Sequence, residues 1–253
     1  MHVERHWRTQ WVVGALLFAL VSSTWGQERP TSTTNAGVGV IYRNSIYKKD
    51  DTRVMPIPMV YYESKDFFFK GRALGYHLLK KGGLSLDVVG QVRFDGYDDS
   101  DSSFLRGMDD RQMTLDGGVE LSYADGWGVT NVSFVSDMLG RHDGQEVSIS
   151  YGKRFTMGKW SLTPAAGAIW HSHNLADYYY GVRPDEATAV RPAYSVGEAW
   201  SPTAFLNVMY RINKQWSAIG LVRYEWLDDE ISDSPIVDDD YQIQFMAGVM
   251  YQF

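Results

Sequence analysis

The best local candidate for chemistry in this 253-residue sequence is His171-Ser172-His173. A barrel phospholipase or protease would need a histidine paired with serine, asparagine or aspartate at a defined rim. On an emerging strand, alternate residues put both histidines on one face, which suits a metal pair or a plain polar rim as well as a base. The polar rim is the reading adopted, so no catalytic residue and no metal ligand is assigned. Three acidic groups, Asp98-Asp99-Ser100-Asp101, Asp228-Asp229-Glu230 and Asp238-Asp239-Asp240, carry oxygens that hard cations favour. They lack EF-hand spacing, and read as solvated, mutually repelling loops. Gly37-Val38-Gly39 has neither the third glycine nor the following helix of a nucleotide loop, so no cofactor is expected. The chain reads as a non-enzyme.

Composition narrows the setting. The absence of cysteine excludes a disulfide scaffold, a thiolate nucleophile and a lipidated cysteine anchor. Residues 1–26 read as a secretory signal: Arg5 and Arg8 in a positive n-region, an uncharged stretch from Trp11 to Val21, then small residues before a cleavage point near Ser23 or Gly26. Its removal takes away Arg5, Arg8 and Glu4 and makes the formal charge of −7 one unit more negative. An acidic exported chain is a poor partner for nucleic acid.

The elements that must position these groups are strands. Past residue 26 no segment has the apolar length of a membrane helix, whereas period two recurs. Leu84, Leu86, Val88, Val92 and Phe94 alternate with Ser85, Asp87, Gln91, Arg93 and Asp95; Met113, Leu115, Val119, Leu121 and Tyr123 alternate with Thr114, Asp116, Glu120 and Ser122. One face suits lipid and the other water.

Trp160 with Trp170, and Trp216 with Trp226, stand ten residues apart on the apolar face. Ten residues rise about 33 Å, and a tilt of about 40° projects this to about 25 Å, the height of a lipid-facing band between aromatic girdles. Charged residues fall mainly on the opposite face: Asp87, Arg93, Asp116, Glu120, Arg154, Arg211, Arg223 and Glu225 are expected to line the lumen, as pore lining or as a mutually paired plug, the plug being favoured.

Connections alternate in length. Short turns at 80–83, 124–126, 156–159 and 213–215 are expected to face the periplasm. Long links at 96–110, 138–144, 171–199 and 228–240 are expected to face outward. Tyr178-Tyr179-Tyr180 in the longest is expected to pack over the mouth, with an adhesive surface as the other reading. Counting back from Phe253 gives ten strands, with 54–63 and 67–79 first, and a bulge near Thr130-Asn131. Ala36 to Arg43 would add another, leaving ten or twelve open. The fold class is therefore all-β: a transmembrane, antiparallel, up-and-down barrel of ten to twelve strands, residues 27–253.

The final strand, Tyr241 to Phe253, alternates up to a terminal aromatic. Tyr251 and Phe253 resemble the signal by which barrel assembly machinery recognises its clients. Ala36-Gly37-Val38-Gly39-Val40, Arg53-Val54-Met55-Pro56-Ile57-Pro58 with Tyr61-Tyr62, Phe67-Phe68, Leu74-Gly75-Tyr76, Gly107-Met108-Asp109-Asp110-Arg111 and the closing Gly248-Val249-Met250-Tyr251-Gln252-Phe253 are similar to the MipA/OmpV family of MltA-interacting proteins. That resemblance implies an outer-membrane scaffold linking a membrane-bound lytic transglycosylase to a bifunctional penicillin-binding protein in murein synthesis. The alternatives are a narrow channel or small-molecule uptake barrel, suggested by the charged lumen, and an adhesin acting through the long outer loops.

Overall fold

The computed structural model describes residues 32–50 and 52–253; the expected signal at 1–26 lies outside them. Period-two segments become the strands β1 (Ser32–Arg43), β2 (Arg53–Ser64), β3 (Phe67–Lys70), β4 (Ala73–Lys81), β5 (Leu84–Arg93), β6 (Thr114–Ala124) and β7 (Val129–Asp137). They continue as β8 (Gln145–Gly152), β9 (Phe155–Met157), β10 (Trp160–His171), β11 (Ala199–Arg211), β12 (Trp216–Trp226) and β13 (Tyr241–Gln252). Each pairs antiparallel with its sequence neighbours, except that β8 and β9 both pair with β10, and β13 pairs with β1 from Asn35↔Gln252 to Arg43↔Gln244, closing the sheet on itself. Closure satisfies backbone groups that hydrocarbon cannot.

β8 and β9 meet β10 in one unbroken register (Ala165↔Gly152, Leu162↔Phe155) and count as one strand, giving a closed barrel of twelve. Two features settle the choice between ten and twelve. Ala36 to Arg43 is indeed a wall strand, and the segment expected as one strand at 67–79 is a hairpin, turning at Gly71 and Arg72 with Lys70 opposite Ala73. Gly71 has φ +61°, a left-handed turn conformation that a side chain would strain. The run Phe67-Phe68-Phe69 masked the break because it is apolar in either phase. Within the hairpin Phe68 points inward and lies over Gly75, where any Cβ would meet the ring at 2.1 Å.

The expected bulge near Thr130-Asn131 is absent: β7 holds one register with β6 and β8 throughout. The irregularity lies instead between His77 and Leu79, where Leu78 has no partner across β5.

The connections sort onto two rims. One carries the turns at 65–66, 82–83, 125–128, 158–159 and 212–215; the other carries 44–52, 94–113, 138–144, 172–198 and 227–240. Val38, Val40, Val54, Val88, Val119, Leu121, Phe134 and Ile149 are exposed on the outer face, as a lipid-facing wall requires.

Candidate functional site: a capped, ion-paired lumen

Arg93, the last residue of β5, points inward and its side chain is 3% exposed. Its Nε donates to Asp116 Oδ2 at 2.8 Å, and one terminal nitrogen lies 2.7 Å from Asp116 Oδ2 and 2.7 Å from Glu146 Oε2. The other terminal nitrogen reaches Asp95 Oδ2 at 3.2 Å, and Asp95 also faces Arg43 at 3.5 Å. One guanidinium thus gathers carboxylates from β6, β8 and the chain beyond β5, a use its planar fork of donors allows and a lysine's point charge does not. His171 lies 3.4 Å from Glu146.

A second network occupies the β2–β5 sector: His77 Nδ1 contacts Asp87 Oδ1 at 2.7 Å, Ser85 Oγ donates to the same oxygen at 2.8 Å, and Lys80 Nζ donates to Glu63 at 2.6 Å. Arg223 pairs with Glu225 two residues along β12 at 2.6 Å.

Among the described residues one cluster has metal-ligand types close together, Asp116, Asp137 and His142. The Asp137 oxygens are committed elsewhere, whereas Asp116 Oδ1 and His142 Nε2 are buried without a hydrogen-bond partner among the described residues. Asp137 Oδ1 accepts from Thr114 Oγ1 and Leu139 N–H, and its Oδ2 accepts from the N–H groups of Arg141, His142 and Asp143. His142 Nδ1 accepts from Gly144 N–H at 3.0 Å, which leaves the proton on Nε2, 3.4 Å from Asp116. A metal-bound imidazole donates from its second nitrogen instead. The cluster anchors the 138–144 loop to the lumen wall.

Above Arg93 the long-loop rim builds a small apolar core. The helix α1 (His173–Tyr180) has Leu175, Ala176, Tyr179 and Tyr180 on one face, an amphipathic spacing, and all four are buried. They meet Ile46 and Tyr47 from 44–52, Tyr97, Leu105 and Met108 from 94–113, and Ile231, Ile236 and Val237 from 227–240. Polar ties cross the same core: Tyr47 Oη to Tyr179 O at 3.3 Å, Ser234 Oγ to Tyr180 O at 2.5 Å, and Arg111 Nε to Tyr178 O at 2.6 Å. Arg111 also binds Glu186 at 2.8 Å, with both side chains nearly inaccessible. Burial raises the Glu186 carboxyl, but hydrogen bonds from Arg111 and from the N–H groups of Arg183 and Asp109 outweigh it and hold the group below the usual carboxylate range. Burial pushes the Tyr47, Tyr97, Tyr179 and Tyr180 hydroxyls upward, so all four stay neutral.

Several expectations need correction against this geometry. His171 and His173 do not share a face: α1 begins at His173, so His171 turns inward toward Glu146 while His173 Nδ1 contacts Val196 O at 2.6 Å. Asp87, Arg93, Asp116, Arg223 and Glu225 stand in lumen networks, and Glu120 is inward and half-buried beside Ser122. Arg154, between β8 and β9, keeps the inward phase of Gly152 and is half-buried near Tyr61, and Arg211 is exposed at the end of β11; neither forms an ion pair among the described residues. The acidic loop residues act as local caps: Asp228 accepts from Glu230 N–H at the start of the helix Asp229–Ser232, and Asp110 accepts from Asp99 N–H.

Sequence reasoning missed Glu146, which the alternation of Gln145–Gly152 puts on the inward face, and His142, which sits in a loop and carried no periodic signal. It also missed an apolar cluster within the β12–β13–β1–β2 sector of the lumen, where Ile41, Ile57, Met59, Leu221 and Met246 pack together.

Trp160 and Trp216 are exposed at the short-turn ends of β10 and β12. Trp226 is exposed and Trp170 partly so at the opposite ends. Trp170 pairs with Trp200, centroids 6.5 Å apart. Tyr251 packs edge-on against Trp216 and Phe253, and Phe253 is largely exposed.

Residues 36–253 match the family model described as MltA-interacting protein MipA. The chain is similar to the MltA-interacting protein of Escherichia coli strain K12, 32% identical over 222 residues that cover 86% of this chain and 88% of that protein. It is also similar to outer membrane protein OmpV of Vibrio cholerae, 30% identical and covering 86% of each, and to outer membrane protein Omp26La of Vibrio anguillarum, 28% identical and again covering 86% of each. A twelve-stranded barrel with an apolar exterior, matched along nearly its whole described length by outer-membrane relatives, makes this chain an outer-membrane protein that belongs to the MipA/OmpV family.

Proposed function

We propose that this barrel is a non-enzymatic scaffold that offers its short-turn rim, facing the periplasm, to a lytic transglycosylase, and with it to a bifunctional penicillin-binding protein in murein assembly. The observation that carries the reading is the charge of that rim. Lys65, Lys81, Lys159, Arg211 and Lys214 are exposed there against Asp66 and Asp125, so it favours an acidic partner surface. Turns of two to four residues let a partner approach the wall closely. The name of the Escherichia coli relative supports the transglycosylase as the first partner. The paired lumen charges and the apolar cap support a filled plug over an open pore.

Other roles follow from the same orientation. Trp160, Trp170, Trp216 and Trp226 anchor the barrel at the two lipid interfaces. Tyr251 and Phe253 serve the assembly machinery, and residues 1–26 direct export.

Retention of a purified lytic transglycosylase on immobilised barrel tests the reading. The wild type should retain it, and the combined Lys65→Glu, Lys81→Glu and Lys214→Glu variant should not. A wild-type barrel that retains none refutes the proposal.

A further inference from the structure

Four of the chain's ten methionines meet at one place on the inner wall. Met59 and Met246 are buried there, and Met55 and Met250 are partly buried against the same cluster. Strand register fixes their arrangement. Gly37 of β1 stands between Met59 of β2 and Met250 of β13, and Ile41 stands between Met55 and Met246. Gly39 and Gly248 pair midway between those two rungs.

The glycines form a floor. A Cβ at Gly37 would strike the backbone of Val249 and Met250, one at Gly248 would collide with Met59 Cε, and one at Gly39 would lie 3.1 Å from Met59 Sδ. The Met59 side chain therefore crosses β1 above Gly39 and reaches Gly248 on β13. Met246 and Met250 are the same-face neighbours of Gly248 on that strand, each about 7 Å away along it. Three thioethers thus surround Gly248, Met59 from above and Met246 and Met250 from either side. Met250 is only partly buried, which leaves the group open to the lumen.

Filling space does not call for this composition, since Ile41, Ile57 and Leu221 already supply branched carbon in the cluster. Methionine adds a polarizable sulfur and three rotatable bonds with which to aim it. Thioether sulfur is a soft, uncharged donor that selects monovalent copper, whereas Mg²⁺ and Ca²⁺ need oxygen ligands. The chain has no cysteine, so methionine is its sole sulfur ligand.

We propose that Met59, Met246 and Met250 form a thioether site for one soft monovalent metal ion of the Cu(I) class, held above the glycine floor of β1 and β13. The ion is bound without oxidation or reduction, and the site needs none of the rim lysines.

Silver(I), a soft ion of the same charge that stays monovalent in air, is the probe. The full barrel, folded in detergent micelles in a chloride-free nitrate buffer, would be given silver nitrate, freed of unbound metal by gel filtration and analysed for silver and protein. One silver per barrel is expected, and excess zinc(II) should not displace it. Combining Met59→Leu, Met246→Leu and Met250→Leu keeps the apolar volume and should weaken retention at least about tenfold. Met138→Leu with Met157→Leu, at methionines exposed on the outer face, should leave it unchanged. Hydrogen peroxide gives a reading on the wild type alone, whether or not the triple variant folds. Silver should slow sulfoxide formation at Met250 at least about fivefold and leave the rate at Met157 as it was. No retained silver, equal retention by the triple variant, or unslowed oxidation of Met250 would overturn the proposal and leave the cluster as packing.

Discussion

Replacing Arg93 by leucine should cost the barrel a large part of its stability, and the geometry sets the size of the loss. The guanidinium is 3% exposed and holds Asp95, Asp116 and Glu146 together. Two of their oxygens lie 2.7 Å from the same nitrogen, hence no more than about 5.4 Å from each other; without the cation they would repel by about 3 kcal/mol at an effective dielectric near 20. Removing one partner from a buried pair costs about 3–5 kcal/mol, and the same range is expected here. Urea titration of the folded barrel, read by tryptophan emission and by the gel mobility shift between unheated and heated protein, would measure it. Adding Glu146→Leu to Arg93→Leu should recover about half the loss, because the two side chains act as one unit. A loss below about 1 kcal/mol would refute the reasoning, since that is the size of a solvated surface pair.

Tyr179→Ala, at a position fully buried in the cap, should destabilise the loop core by about 3–5 kcal/mol and raise hydrogen exchange at Leu105 and Ile231 while leaving the wall protected. Gly75→Val should cost about 1–3 kcal/mol in the same urea assay by overpacking against Phe68, with Phe68→Leu partly restoring it. The Glu186 carboxyl is held low in the folded cap, so its contribution is fully present above the unfolded value of about 4.3 and fades as pH falls through the lower folded value; exchange in 178–196 should rise there, and Glu186→Gln should flatten that rise. Planar bilayers should show no conductance steps from the wild type, and steady steps would contradict a filled lumen.

The wall was legible in the sequence because lipid and lumen impose period two on every strand they share, from Leu84 to Arg93 as from Tyr241 to Gln252. Legibility failed where a segment is apolar on both faces. Phe67 to Lys81 concealed a hairpin, and Val54 to Val60 concealed an inward apolar cluster. In the site, Arg93 and Asp116 were readable from strand phase. Tyr179 was expected over the mouth, but the partner His142 was not readable, because long-range packing sets the 138–144 loop against Asp116 and under Tyr179 and no local pattern records that. The helix at His173–Tyr180 was read only as a loop, since eight residues with one apolar stripe are short for a periodic signal.

Which rim meets the murein machinery can be asked directly in intact envelopes. A photo-crosslinking residue would be placed at Lys81, Lys159 or Lys214 on the short-turn rim and, for comparison, at Asp99 or Val190 among the long loops, with adducts identified by mass spectrometry. Adducts to a lytic transglycosylase from the three lysine positions, with none from Asp99 or Val190, are the predicted result. Transglycosylase adducts only from the long loops, or none from any position, would contradict the scaffold account.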